Sequence, residues 1–162
     1  MLFRICAVVL VGLLWCLNPG ISSAAALFPG SSPDNLGVRG NHLTPCPATP
    51  NCVVSEDTDA THAIAPISYV GDRATVRQAL EDVLSVVPRT KIIEATDTYL
   101  RAESSSRLLG FVDDVEFYFP EDEDIIHIRS ASRLGESDLG VNKRRLEQIR
   151  LALQDLELSP KM

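Results

Sequence analysis

"GFVDDVEFYFPEDEDIIHIRSASRLGESDLGVNKRR", residues 110–145, is the stretch whose reading decides the fold. Its runs FVDDVEFYF and IIHIRSAS are rich in β-branched and aromatic residues, and an acidic loop at residues 120–124 separates them, so the pair reads as a β-hairpin. Side chains alternate across a strand. One face of the first run therefore collects Phe111, Asp113, Val115, Phe117 and Phe119, and the other Val112, Asp114, Glu116 and Tyr118. In the second run Ile126, Ile128, Ser130 and Ser132 share a face, opposite His127 and Arg129. Packing Phe117 and Phe119 beside Ile128 and Ile126 fixes the register, because a slip by one residue would invert every side chain. That register sets Glu116 opposite Arg129, with Arg101 from the preceding strand beside the pair.

These charges have a simple first interpretation. Asp114, Glu116, Arg101 and Arg129 are expected to form a cross-strand ladder on a solvent face. Each such pair contributes only ~0.2–1 kcal/mol. Asp113 differs, because it shares its face with Phe111, Val115 and Phe117, near Ser104 and Ser132. A carboxylate at the edge of an apolar face must be hydrogen-bonded, paired or protonated. It is expected to brace the loop at residues 133–141 through backbone N–H groups, with the serines and Arg133 as further candidate partners. The functional alternative makes Asp113 or Asp114 an acid, a base or a metal ligand. His127 projects away from Ser130 and Ser132, so a Ser–His nucleophile there is geometrically poor.

Directly behind the hairpin, Lys143, Arg144 and Arg145 open a helix, where the macrodipole disfavours cations. Either the carboxylates of the sheet neutralise them, or the helix start binds an anion, with Gly135 and Gly140 letting backbone come close. Asn142 is the expected N-cap and Asp138 its rival.

Outward from the hairpin, residues 73–87 carry Val76, Leu80, Val83, Leu84 and Val87 at helical spacing, and Pro88 ends the run. KIIEAT and YLRAES read as strands joined by a turn at Thr96, Asp97 and Thr98. AIAPISYV reads as a short edge strand, since Pro66 cannot donate to a ladder. The last helix is expected to bury Leu146, Ile149, Leu153 and Leu156. The sum is an α+β domain at residues 60–158: an antiparallel sheet of about five strands with two amphipathic helices packed on one face.

Upstream, residues 27–59 are rich in Pro, Gly, Ser, Asn and Asp, and read as an extended leader. Within it Cys46 and Cys52 flank a proline-rich loop, which a structural disulfide would close. The spacing is not that of a Cys-x-x-Cys redox pair. A metal site recruiting His42 and His62 to the two thiols matches no standard zinc spacing, so no metal or other cofactor is expected. Residues 1–26 read as a signal peptide, with a cationic start, an apolar run and small residues up to Ala26 for cleavage. The apolar run has about 13 residues, short of the ~20 that cross a bilayer as a helix. The expectation is an exported protein in a disulfide-permitting compartment. A net charge of −7 makes nucleic acid or anionic lipid a poor generic partner.

The segments PCPATPNCVVS, LLGFVDDVEF and IRSASRLGESDLGVNKRR, in this order and spacing, resemble the family known as domain of unknown function 1499. The resemblance covers residues 44–153. It implies that Cys46, Cys52, Asp113, Asp114, Glu116, Arg129, Ser130, Ser132, Arg133, Asp138 and Asn142 belong to a shared signature, and brings no established activity. The family usually has serine after Asn-Cys-Val, where Val54 stands here. A signal peptide before such a domain is similar to cyanobacterial or plastid-lineage members of the periplasm or thylakoid lumen. The leading expectation is a non-catalytic binding or accessory module. It would contact a membrane-complex or lumenal protein, or a small anion, through Arg129, Ser132, Arg133, Asp138, Asn142 and Arg144. The alternatives are a hydrolase with a carboxylate–arginine site and a thiol-redox protein.

Overall fold

The hairpin forms in the expected register, with Phe117 opposite Ile128 and Glu116 opposite Arg129, while Arg101 lies on the other side of Glu116. The structure, a computed structural model, describes residues 27–57 and 59–160; the expected signal segment at residues 1–26 lies outside them. In chain order the elements are β1 (Val38–Arg39), β2 (His42–Leu43), β3 (Cys52–Val54), β4 (Ile67–Ser68), α1 (Arg73–Val86), β5 (Thr90–Ala95), β6 (Tyr99–Ser105), β7 (Val112–Tyr118), β8 (Ile125–Ser132) and α2 (Val141–Asp155). The main sheet runs β3-β8-β7-β6-β5, and β4 pairs with the other end of β8, giving six strands. Its pairings are antiparallel, and β1 and β2 form a separate two-stranded ribbon.

Local chemistry explains both helices. The Asp72 carboxylate accepts from the Thr75 N–H at 3.0 Å and caps α1. The Val87 N–H closes the far end on Leu84 O, just before Pro88. Val76, Leu80 and Leu84 from α1, with Leu146, Ile149 and Leu153 from α2, pack on Val115, Phe117, Phe119, Ile126 and Ile128. Both helices thus cover one face of the sheet, and the α+β expectation holds. Phe117 is fully buried there, so Phe117→Ala would cost about 3–5 kcal/mol.

Three expectations fail. Leu156 is not part of the buried stripe of α2; it is 52 % exposed, and Arg150 and Gln154 are buried instead. The reason is the returning chain: Arg150 donates to the carbonyls of Ala65 and Pro66, and Gln154 to Pro160 O. Asn142 is not the N-cap, because the helix begins at Val141 and Asn142 turns inward, fully buried. Its rival Asp138 is not the N-cap either: that position falls to Gly140, and the Asp138 carboxylate, two residues earlier, accepts from the N–H groups of Gly140 at 2.9 Å and Asn142 at 2.7 Å.

The third failure concerns the charged face, which does not meet water. Glu116 is 0 % exposed, Asp114 1 % and Arg129 5 %. The stretch read as a leader covers them: the Gly37 N–H donates to Glu116 Oε1 at 2.8 Å, and β3 joins the sheet beside Arg129, Ser130 and Ala131. Cys46 and Cys52 form a disulfide that closes the proline-rich loop over the same face.

Candidate functional site

Two polar clusters sit on β7 and β8, one on each face of the sheet. On the helix side, Arg145 reaches back from α2 and donates to Asp113 Oδ2 at 2.6 Å. The same guanidinium donates to Asn142 Oδ1 at 2.8 Å and Ser130 Oγ at 3.1 Å. Asn142 Nδ2 donates to Asn51 O at 3.1 Å and Ser132 Oγ at 3.0 Å, and Ser130 Oγ donates to Asn142 Oδ1. Asp113 therefore does not brace the loop after β8, and Arg133 is not its partner. Arg145, from the helix start, is the cation that resolves the buried carboxylate.

On the opposite face lies an arginine–carboxylate layer. Arg133 grips Asp114 with two nitrogens, Nε to Oδ2 at 2.8 Å and Nη2 to Oδ1 at 2.8 Å. It also pairs with Glu103, and Arg101 reaches Asp114 Oδ1 at 3.1 Å. Arg129 donates through Nη1 to Glu116 Oε2 at 2.8 Å, while the Tyr99 hydroxyl donates to Oε1 at 2.9 Å. Three cations thus face three carboxylates. The hydrogen bonds from Arg133 to Asp114, then those to Glu103, outweigh desolvation and hold its guanidinium above the usual range. Burial, then the Glu116 carboxylate, pushes the Tyr99 phenol well above the ordinary tyrosine value. A planar fork on a carboxylate is the strong, geometrically specific form of ion pair.

One atom in this layer lacks a partner. Among the described residues, Arg129 Nε is the buried side-chain nitrogen left without any hydrogen-bond acceptor. Arg129 lines a cavity of about 290 Å³ together with Asp114, Ala131, Ser132 and Arg133. Pro33, Asn35, Pro45, Cys46 and Pro47 from the leader and the disulfide loop partly cover it, and it stays open to solvent on one side. A buried N–H without an acceptor costs about 1–3 kcal/mol, so native proteins rarely leave one unmatched.

A larger cleft of about 830 Å³ opens at the other end of the sheet, between β1, β2 and the acidic loop at residues 120–124. Its walls include Asp34, Glu56, Glu94, Glu121, Asp122 and Glu123. Size does not make it the better site. Its loop carboxylates are water-exposed and require no partner, and Glu56 already accepts from the Leu43 N–H at 2.8 Å and bonds His42 Nδ1 at 2.6 Å. At its rim Ser55 Oγ lies 3.1 Å from His127 Nδ1 and accepts from the Ile128 N–H at 2.9 Å. Sequence reasoning missed this contact because it joins residues from opposite ends of the fold. Among the described residues no carboxylate hydrogen-bonds His127, so the pair lacks an orienting acid.

The expected site residues are therefore partitioned. Arg129, Ser132 and Arg133 line the partly covered cavity, and Asp114 forms part of its wall. Asn142 and Asp113 belong to the cluster on the helix side, and Asp138 accepts from the Asn142 N–H at the start of α2. Arg144 is exposed and donates to Leu139 O at 2.8 Å, away from both clusters. His62 donates through Nδ1 to Cys52 O at 3.0 Å, and among the described residues no group of three or more His, Cys, Asp or Glu could hold a metal.

Fold and site together define an α+β module built on a buried arginine–carboxylate layer with a partly covered cavity. A family model described as protein of unknown function (DUF1499) matches residues 42–153, and the chain belongs to this family. No curated protein and no solved structure matches it.

Proposed function

We propose that the protein is a non-catalytic exported binding module of the periplasm or thylakoid lumen. It holds a small ligand bearing an oxygen acceptor in the Arg129 cavity, and serves as an accessory to a membrane complex or another protein of that compartment. The observation that carries this reading is Arg129, which lines a cavity and whose Nε is a buried donor without an acceptor. The volume of about 290 Å³ lies at the small end of the ~300–1,000 Å³ common for ligand pockets. Its proline and alanine walls suit an apolar body, and the guanidinium suits a carboxylate or carbonyl oxygen. Because the three arginines already face three carboxylates, a single acceptor atom fits better than a multiply charged anion. Export is supported by the apolar run at residues 5–17 and by the Cys46–Cys52 disulfide.

The hydrolase reading is supported less by this geometry, because Asp113 and Asp114 point to opposite faces of the sheet and each is held by at least one arginine, so the two carboxylates do not share a site. The thiol reading has no support beyond the disulfide itself, which helps to cover the cavity.

Calorimetric titration with a graded series of monocarboxylates and matching neutral carbonyl compounds tests the ligand. Arg129→Lys keeps a cation beside Glu116 but removes the Nε donor, so at least a tenfold loss of affinity is expected with the fold retained by circular dichroism. Binding by no member of the series, or equal binding by the lysine variant, overturns the reading. For the partner, crosslinked capture from solubilised membranes should recover a defined protein that Arg144→Glu weakens; recovery of nothing ends the accessory part.

A further inference from the structure

The end of the sheet opposite the acidic cleft carries a second, unrelated surface. The β6–β7 turn, SRLLGF at residues 106–111, contains two leucines, a phenylalanine and an arginine, and no carboxylate. Leu108 is 83 % exposed at its tip, and Leu109 and Phe111 are exposed as well. The first described residues of the chain pack onto this turn: the Phe28 N–H donates to Leu109 O at 3.1 Å, and the Phe28 ring stacks on Phe111 with centroids 5.8 Å apart. Leu27, 69 % exposed, extends the patch on one side. Gly30 carries it to the exposed Leu134 on the other, since a Cβ on Gly30 would sit 3.0 Å from Leu134 Cγ. Phe28, Leu108, Leu109 and Phe111 thus share one exposed turn, with Leu27 next in the chain to Phe28 and Leu134 beside Gly30.

Two features identify its occupant. Arg107 lies within the turn, and Arg89 is tied to its base through Ser105, so cations flank the apolar tips. Glu94, Glu121, Asp122 and Glu123 border the cleft at the other end of the sheet, while Glu136 follows Leu134 by two residues. The overall charge of −7 therefore gives no measure of the local field here. Leucine and phenylalanine on protruding loops with flanking arginines are the chemistry that enters the headgroup–acyl boundary of a bilayer. A contiguous exposed apolar patch on a monomer marks an interaction surface.

We infer that the β6–β7 turn, with residues 27, 28 and 134, is a membrane-contact surface that seats the domain on a lipid bilayer with its acidic cleft facing away. This inference stands independently of any ligand in the Arg129 cavity. Seating would hold that acidic end at the greatest distance from anionic headgroups, so the charge asymmetry itself favours one orientation.

The only tryptophan is Trp15, which permits a clean test on the full chain. In a Trp15→Phe background, Leu108→Trp places a probe on the turn and Asp122→Trp places one on the acidic loop. Vesicles of phosphatidylcholine and phosphatidylglycerol, with and without brominated acyl chains, are then added. The probe at position 108 should shift to the blue and be quenched by the brominated lipid, while the probe at 122 does neither. Leu27→Ser combined with Leu134→Ser should weaken partitioning about tenfold or, if the N-terminal run itself holds the chain to the vesicle, reduce quenching at 108 to the level seen at 122. Equal behaviour of the two probes overturns the inference. A blue shift at 108 that needs a membrane-protein extract, and is not produced by lipid alone, overturns it too and assigns the surface to a protein.

Discussion

Arg133 holds Asp114 with two nitrogens while touching Glu103, so removing it strands a carboxylate that is almost wholly buried. Breaking one partner of a buried pair costs about 3–5 kcal/mol. Arg133→Gln is expected to lose that much in urea unfolding, even though Arg101 still reaches Asp114; a loss under 1 kcal/mol would mean that water reaches the carboxylate. Gly30 is a second sensitive residue. Its φ of +66° lies in the left-handed region, and an added Cβ would sit 2.9 Å from Arg133 Cβ. Gly30→Ala should therefore pull residues 27–30 off the sheet edge, seen as faster hydrogen exchange at Phe28, while β7 and β8 stay protected. The same scale shows what pattern reading could find. Period-two alternation gave the β7–β8 register correctly, with Glu116 opposite Arg129 and Phe117 opposite Ile128. It could not name Arg145 as the partner of Asp113, because that contact depends on how α2 lies across the sheet.

At the level of elements, the proline-rich loop matters through what it covers. The Cys46–Cys52 disulfide, at a sequence separation of 6, ties residues 46–52 to the start of β3 and so to β8. Replacing both cysteines by serine should lower stability by about 2 kcal/mol through the entropy returned to the unfolded chain. It should also weaken any ligand in the Arg129 cavity more than it weakens the fold, because Cys46 forms part of the cover. Equal ligand affinity in the reduced and oxidised protein would show that the cover is dispensable. Helix α1, the β5–β6 and β7–β8 pairs and the body of α2 were legible because apolar spacing and Pro88 are local signals. The covering role of residues 27–59 was not. That stretch has few apolar residues, and it binds through backbone groups such as the Gly37 N–H, which carry no mark in the sequence.

Across the whole molecule, pH reports on the covered face. Tyr99 is buried against Glu116, and its phenol is shifted upward in the folded protein. A group whose folded pKa is raised contributes stability that is complete below its unfolded value and is lost as pH rises through the folded value. The protein should therefore lose stability as pH climbs above ~10, where unfolded tyrosine ionises. Tyr99→Phe should flatten that decline while lowering stability at neutral pH, measured by denaturant titration across pH 7 to pH ~11; an unchanged alkaline limb would remove Tyr99 from the account. Residue pattern alone was enough for β4 to β8, the register of the β7–β8 hairpin, both helices and the pairing of Glu116 with Arg129, because each follows from neighbours in the chain or from one hairpin. Packing of distant segments settled that β3 joins the sheet, that this ion pair is buried, that Arg129 lines a cavity and keeps an unmatched Nε, and that apolar loop tips gather at one end of the sheet. Those outcomes depend on which distant segments come to lie over a face, and alternation along a strand carries no information about what covers it.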